Sequence, residues 1–260
     1  MIGIVGGMGP WATSDLLDKL AQETVSTRDQ EHVSLIVLSE PAEIPDRTAF
    51  VVGRGGRTNP GDIVAGLVAR LIDYGATVVG IPCNTLHLPL IFEPIVDAAR
   101  SIRLVSIVDE TIRHITERYP EGSVIGVIGT SATIRFRLYT DALERAGYRA
   151  VTLDDRRNDE IDEAVIFGES GVKQTHGAVS ARALETVRRA ASDLAALGAH
   201  AVVFGCTELP AVLRPGIAVS WPAVELVDPT RLLARGLIRS YDPDKLRPGT
   251  FYTGQLHPAT

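Results

Sequence analysis

Lysine and cysteine are scarce: three lysines and two cysteines occur among 260 residues. Two thiols could close at most one disulfide, and a reducing compartment favours leaving both free. They lie far apart, and no histidine pair has ligand spacing, so no metal site is expected. No uncharged apolar run approaches the length that crosses a bilayer. Aromatics make up only 5% of the chain, and no basic cluster interleaved with aromatics occurs. With a net charge of −6 this argues against nucleic acid as a partner. A local basic pocket for a small anionic substrate is still open to such a chain. From Met1 the sequence passes straight into a strand pattern, with no basic segment, apolar helix and cleavage site ahead of it, so the expected location is cytoplasmic. What is present is 45% hydrophobic and 22% charged, the balance of a globular protein with room for two modest domains. Of the 26 basic residues only Lys19, Lys173 and Lys245 are lysines, so a lysine near a motif carries weight.

The chain repeats itself at an offset of 123 residues. Ile2-Gly3-Ile4-Val5-Gly6 falls on Ile125-Gly126-Val127-Ile128-Gly129, and the stretch from Leu71 to Val79 falls on Leu194 to Val202. In the same register Cys83-Asn84-Thr85-Leu86 meets Cys206-Thr207-Glu208-Leu209. Three ungapped matches imply two related half-folds, each presenting one thiol at the end of an apolar strand.

Residues 2–5 read as a buried strand, followed by the turn Gly6-Gly7-Met8-Gly9-Pro10 and a helix to about residue 25. A strand over 33–38, a helix over 63–74 and a strand over 77–81 complete the first half. The second half has strands at 124–128, 150–153 and 201–204, a helix over 134–146 closed by Gly147, and a long helix over 178–197. Residues 104–108 and 218–219 are weaker strand candidates, 156–162 is a polar loop or helix start, and 240–260 is a strap or a frayed tail. Short apolar strands alternating with amphipathic helices predict an α/β fold: two pseudo-symmetric domains, each a parallel sheet flanked by helices. The first domain is expected over 1–98 with about 213–240, the second over 99–212, and a tail over 241–260. Ligands of such sheets sit beyond the carboxyl ends of the strands, where both cysteines and the loops 6–10 and 129–133 fall, so a site in a cleft between the domains is expected.

Paired thiols suit proton transfer at carbon. One thiolate can remove a proton while the opposite thiol delivers another to the far face. A thiol ordinarily ionises near pH 8.5, and a helix beginning just after each cysteine would favour the thiolate through its free N–H groups.

The chain resembles the aspartate/glutamate racemase family of cofactor-independent amino-acid racemases, and its aspartate racemase branch in particular. The matching motifs are Gly6-Gly7-Met8-Gly9-Pro10 with Ala12-Thr13, Ile44-Pro45-Asp46-Arg47-Thr48, Pro82-Cys83-Asn84-Thr85 with His87, Gly205-Cys206-Thr207-Glu208, and Asp228-Pro229-Thr230. The resemblance implies proton exchange by Cys83 and Cys206, a homodimer, no pyridoxal phosphate and an amino acid with an acidic side chain as substrate. It places Arg47 and Lys173 on the side-chain carboxylate, Lys173 lying in the run from Ile166 to Lys173. Otherwise Arg47 would pair with Asp46, and Lys173 would be an exposed loop lysine. Asn84, Thr85 and Thr207, aided by Thr130 and Thr133, are expected at the α-carboxylate, with Met8 and Gly9 of the first loop beside the substrate. Each of those hydroxyl and amide residues could also cap a helix. His87 could tune Cys83 or be satisfied by local backbone; Glu208 could tune Cys206 or serve as a first-turn acid. Ala132, Phe136 and Leu86 stand where the family has glycine, serine and alanine, which bears on pocket shape. Other readings are a further reaction of the superfamily, such as maleate cis–trans isomerisation or hydantoin racemisation, and a binding protein without turnover.

Overall fold

A computed structural model of the protein describes residues 1–214 and 220–249. They divide into two compact units, one comprising Met1–Glu110 with Thr230–Pro248 and the other built on Thr111–Pro229.

In the first unit β1 (Ile2–Gly6) is followed by α1 (Pro10–Glu23), β2 (Leu35–Ser39), α2 (Arg47–Val51), α3 (Pro60–Asp73), β3 (Val78–Gly80), α4 (Pro89–Ala98) and β4 (Arg103–Val105). The sheet is parallel, in the order β2-β1-β3-β4. The chain then enters α5 (Ile107–Arg118), through which the boundary between units passes. The second unit continues with β5 (Val124–Gly129), α6 (Ser131–Arg135), α7 (Leu138–Arg145), β6 (Arg149–Thr152), α8 (Asp155–Ile161), α9 (Ala181–Ala196), β7 (Ala201–Gly205) and β8 (Glu225–Val227). Its sheet is also parallel, in the order β6-β5-β7-β8. Finally α10 (Pro229–Tyr241) returns to the first unit.

The repeat survives into the hydrogen-bond register. Ile2 pairs with Val78 and Ile125 with Ala201, so both partners are displaced by the same 123 residues. The reason is packing at one glycine per unit. A Cβ on Gly3 would lie 3.1 Å from Leu71 Cδ1 and 3.1 Å from Val79 Cγ2. One on Gly126 would lie 3.0 Å from Leu194 Cδ1 and 3.3 Å from Val202 Cγ2, the equivalent side chains. A missing side chain on the central strand thus lets α3 or α9 settle close on one face of its sheet. On the other face α10 sets Leu237 and Leu233 against Gly80, and α7 sets Tyr139 against Gly205. With helices on both faces, β1 and β7 are buried along their whole length, as apolar strands of a parallel sheet must be.

Several expectations need correction. Strand β4 hydrogen-bonds to β3, and β8 to β7, so residues 99–110 belong with the first sheet and 220–229 with the second. The strand expected over 104–108 stops at Val105, and α5 begins at Ile107. The helix expected over 134–146 is two helices, broken where Arg137 adopts a left-handed backbone with φ of 55°. Gly147, with φ of +87°, closes α7 as expected, its N–H bonding the Glu144 carbonyl at 3.1 Å. The polar stretch 156–162 takes the second of its two expected forms, a helix start, because Asp154 caps α8 through the Arg157 N–H at 2.9 Å. The strand candidate at 218–219 lies outside the described residues. Up to residue 249 the C-terminal segment is a strap: Leu246 bridges antiparallel to Thr24, and Arg247 N–H bonds the Glu23 carbonyl at 2.8 Å. Among the described residues no helix is long and apolar enough to cross a membrane.

Candidate active site

The first unit brings Met8, Arg47, Cys83 and their neighbours together at the carboxyl end of its sheet. After β1 the chain turns at Gly7, whose φ of +96° lies in the region that favours glycine. The Gly7 N–H donates to Thr13 Oγ1 at 2.9 Å, and that hydroxyl donates to the Gly9 carbonyl at 3.3 Å. Thr13 fills the space a Cβ on Gly6 would need, with Cγ2 and Oγ1 each 2.6 Å from it. Thr13, which the sequence shows only as part of a motif, braces this loop.

Met8 is buried in one apolar cluster with Ile44, Cys83 and Leu86. Leu86 is fully buried there, so its bulk goes into the core. Arg47 does not pair with Asp46, whose carboxylate instead caps α2 through the Ala49 N–H at 2.6 Å. The guanidinium reaches over Met8, with its terminal nitrogens 3.5 Å from the Met8 and Pro45 carbonyl oxygens. Its Nε is buried without a hydrogen bond. Helix α2 packs against the single 3-10 turn Thr85–His87 that follows Cys83.

That turn replaces the expected helix start. Asn84 and Thr85 are buried, and the Asn84 side chain makes no capping bond. Three residues of 3-10 backbone do not align enough peptide dipoles to act as a helix terminus, so the proposed stabilisation of the thiolate is not supplied in this way. His87 Nδ1 lies 2.9 Å from the Cys83 carbonyl, the local backbone partner that was one of its two expected roles. Burial drives the imidazole down to about 4 despite that bond, so it is neutral. A carbonyl only accepts, so Nδ1 carries the proton and buried Nε2 is a bare lone pair.

The second unit assembles Thr130, Thr133, Lys173, Cys206, Thr207 and Glu208. Of the hydroxyl and amide residues expected either at the substrate or as caps, Thr130 forms a cap: it accepts from the Thr133 N–H at 3.1 Å, and the two hydroxyls are 2.9 Å apart. Thr133 also packs against Gly205, just before Cys206. After Cys206 comes a 3-10 turn over Leu209–Leu213, again in place of an α-helix. Glu208 is buried, and its Oε2 accepts from Cys206 Sγ at 2.9 Å and Thr207 Oγ1 at 3.0 Å. Its Oε1 faces Lys173 Nζ at 3.6 Å. Burial pushes the Cys206 thiol well above its usual range, Glu208 adds to this, and Lys173 opposes it. Lys173 also lies over the Phe167 ring, 4.9 Å from its centre. Phe136 is 38% exposed and Ala132 buried.

One residue here was missed. Asp162 sits at the end of the polar run expected as a solvated loop or a helix start, yet its Oδ2 accepts the Ser131 N–H at 3.0 Å, next to Thr130. Burial raises its carboxyl above the usual range, offset in part by the hydrogen bonds from Ser131 and, less, by Lys173. Polar composition alone cannot distinguish an acid facing solvent from one turned inward. No group of three or more His, Cys, Asp or Glu among the described residues is arranged to hold a metal. Both thiols are free and buried.

The two parallel sheets, each followed at the end of one strand by a free buried thiol, define an α/β protein of two related units. The model of the Asp/Glu/hydantoin racemase family matches residues 5–237, and the chain belongs to that family. It is 26% identical over 253 residues to the broad-specificity amino-acid racemase RacX of Bacillus subtilis, covering 93% of this chain and 98% of that one. Its fold resembles an aspartate racemase of Picrophilus torridus, with a TM-score of 0.72 at 24% identity over 92% of this chain and 93% of that one. It also resembles a glutamate racemase of Francisella tularensis solved with D-glutamate, with a TM-score of 0.63 at 17% identity over 97% and 84% of the two chains.

Proposed function

We propose that this protein is a cofactor-independent racemase of an acidic amino acid, aspartate first and glutamate second, in which Cys83 and Cys206 exchange the α-proton. The observation that carries the reading is the placement of the two cysteines. They are the only ones in the chain, and they stand at equivalent strand ends in one register. One thiolate takes the α-proton, and the electron pair of the broken C–H bond passes toward the α-carboxylate. The other thiol delivers its proton to the opposite face. Asn84, Thr85 and Thr207, with Thr130, Thr133 and the Met8-Gly9 loop, hold the α-carboxylate end, where charge develops. Arg47 meets the side-chain carboxylate, joined by Lys173. The working protein is a cytoplasmic homodimer that needs no pyridoxal phosphate.

A second reading, a racemase of broad side-chain specificity, draws on Lys173. Its ammonium faces Glu208 at 3.6 Å and lies over the Phe167 ring, 4.9 Å from its centre, so it is partly spoken for before any substrate arrives.

L-aspartate in D₂O tests both. Loss of optical activity with gain of α-deuterium, without added cofactor, is expected; fumarate from maleate would point to the isomerase relatives, and binding with no exchange would end the enzymatic reading. Cys83→Ala and Cys206→Ala should each abolish racemisation, and substantial activity in either would overturn the two-thiol scheme. Arg47→Ala should cost acidic substrates more than neutral ones, whereas equal losses would remove it from side-chain recognition and favour broad specificity.

A further inference from the structure

The two thiols hold equivalent places in the repeat but have unequal surroundings. The offset that brings Cys83 onto Cys206 brings Thr85 onto Glu208 and Leu86 onto Leu209. Where the first unit has a neutral hydroxyl, the second has a carboxylate only 1% exposed. That carboxylate has only lone pairs to offer, so the 2.9 Å contact from Cys206 Sγ to Glu208 Oε2 is a bond only while sulfur keeps its proton. Thr207 Oγ1 donates to the same oxygen at 3.0 Å, and Lys173 faces the other at 3.6 Å. Glu208 is thereby fixed in place as an acceptor. Around Cys83 the bonds are to backbone: His87 Nδ1 donates to its carbonyl at 2.9 Å, and its N–H bonds the Ile81 carbonyl at 2.8 Å. No carboxylate among the described residues accepts from its sulfur.

We propose that Glu208 is a positioning residue that makes the two cysteines unequal: it holds the resting proton on Cys206, so turnover begins with Cys206 as the acid and Cys83 as the base. This rests on the two-thiol reading above. The burial and neighbouring charge that raise Cys206 act in the same sense. In the first step the Cys83 thiolate takes the α-proton. The Cys206 S–H bond then breaks to form the new C–H bond on the far face. Afterwards Cys83 bears a proton, and Cys206 is an anion beside Glu208, with Lys173 as the near cation. The cycle closes when the thiols exchange protons with water, or when the product enantiomer runs the steps in reverse. The resting enzyme is therefore primed for the enantiomer whose α-hydrogen faces Cys83.

Because the chain has only two cysteines, Cys83→Ala leaves Cys206 as the sole thiol, and its ionisation can be followed by thiolate absorbance. In that background Glu208→Gln should move the titration midpoint down by about one pH unit, the scale of one neighbouring charge, and Lys173→Met should move it up. No movement, or movement of both in one direction, overturns the proposal. In the unmodified protein, iodoacetamide at neutral pH should label Cys83 before Cys206, although their exposures of 5% and 6% are alike. Equal or reversed labelling also overturns it. Neither readout needs substrate. A chain that racemises aspartate but shows no Glu208→Gln effect would sink only this proposal; the effect without α-proton exchange would sink the racemase reading.

Discussion

His87 carries a liability that follows from its burial. Its folded value of about 4 lies below the unfolded value of about 6.5, so the unfolded chain binds the extra proton between those limits. Its contribution to stability is complete above pH 6.5 and is lost as pH falls toward 4. Unfolding free energy should therefore drop by roughly 2 kcal/mol more between pH 7 and pH 4.5 in the native protein than in His87→Gln. Urea titrations at the two pH values check this, and an equal drop in both proteins would mean the ring is protonated in place. At this scale the cysteines were legible, because rarity and repeat single them out without coordinates. Asp162 was not, since its meaning comes from a bond to Ser131, 31 residues earlier in the chain.

Among the elements, the sequence pattern located three strands of each sheet with α1, α3 and α9, and gave no helix over α2, α4, α5 or α10. The five-residue α2 and the three-residue turn after Cys83 are among the shortest helical elements near the site, and a 3-10 turn stands after each cysteine where a helix start was expected. Five- and three-residue elements carry no full period of apolar residues, and tertiary packing decides them. Helix α3 lies close against α4. Asn59 caps α3 through the Gly61 N–H at 2.9 Å while its Nδ2 donates to the Leu90 carbonyl, also at 2.9 Å. A Cβ on Gly61 would lie 2.0 Å from the Ile91 carbonyl oxygen, a backbone atom that cannot turn aside. Gly61→Ala should cost about 3 kcal/mol by forcing the two helices apart. Gly66→Ala is the control, since it faces open space on the same helix and should be neutral or stabilising. Equal denaturant midpoints for the two variants would contradict this account.

At the scale of the molecule, the first unit is closed by chain from its far end. Arg231 and Arg235 of α10 grip Glu23 of α1, and beyond the helix the Val25 N–H bonds the Lys245 carbonyl at 2.8 Å. Ending the chain at Asp242 removes the strap and its backbone bonds. It should lower the first unit's stability by about 2 kcal/mol, read in calorimetry as a transition a few degrees lower. An unchanged thermogram would mean the strap is ornamental.

From the amino-acid order alone came the α/β class, the duplication, the pair of cysteines and the family. The first three are written in local periodicity and in a fixed offset between like segments; the family rests on the resemblance of its motifs. Folding decided where each unit begins and ends, because hydrogen-bonding edges, not neighbours in sequence, assign β4 and β8 to their sheets. It also decided that Glu208 and Lys173 attend one thiol while backbone attends the other. Such asymmetry cannot be read from a repeat, since it is a matter of which side chains the chain reversals bring within hydrogen-bonding reach.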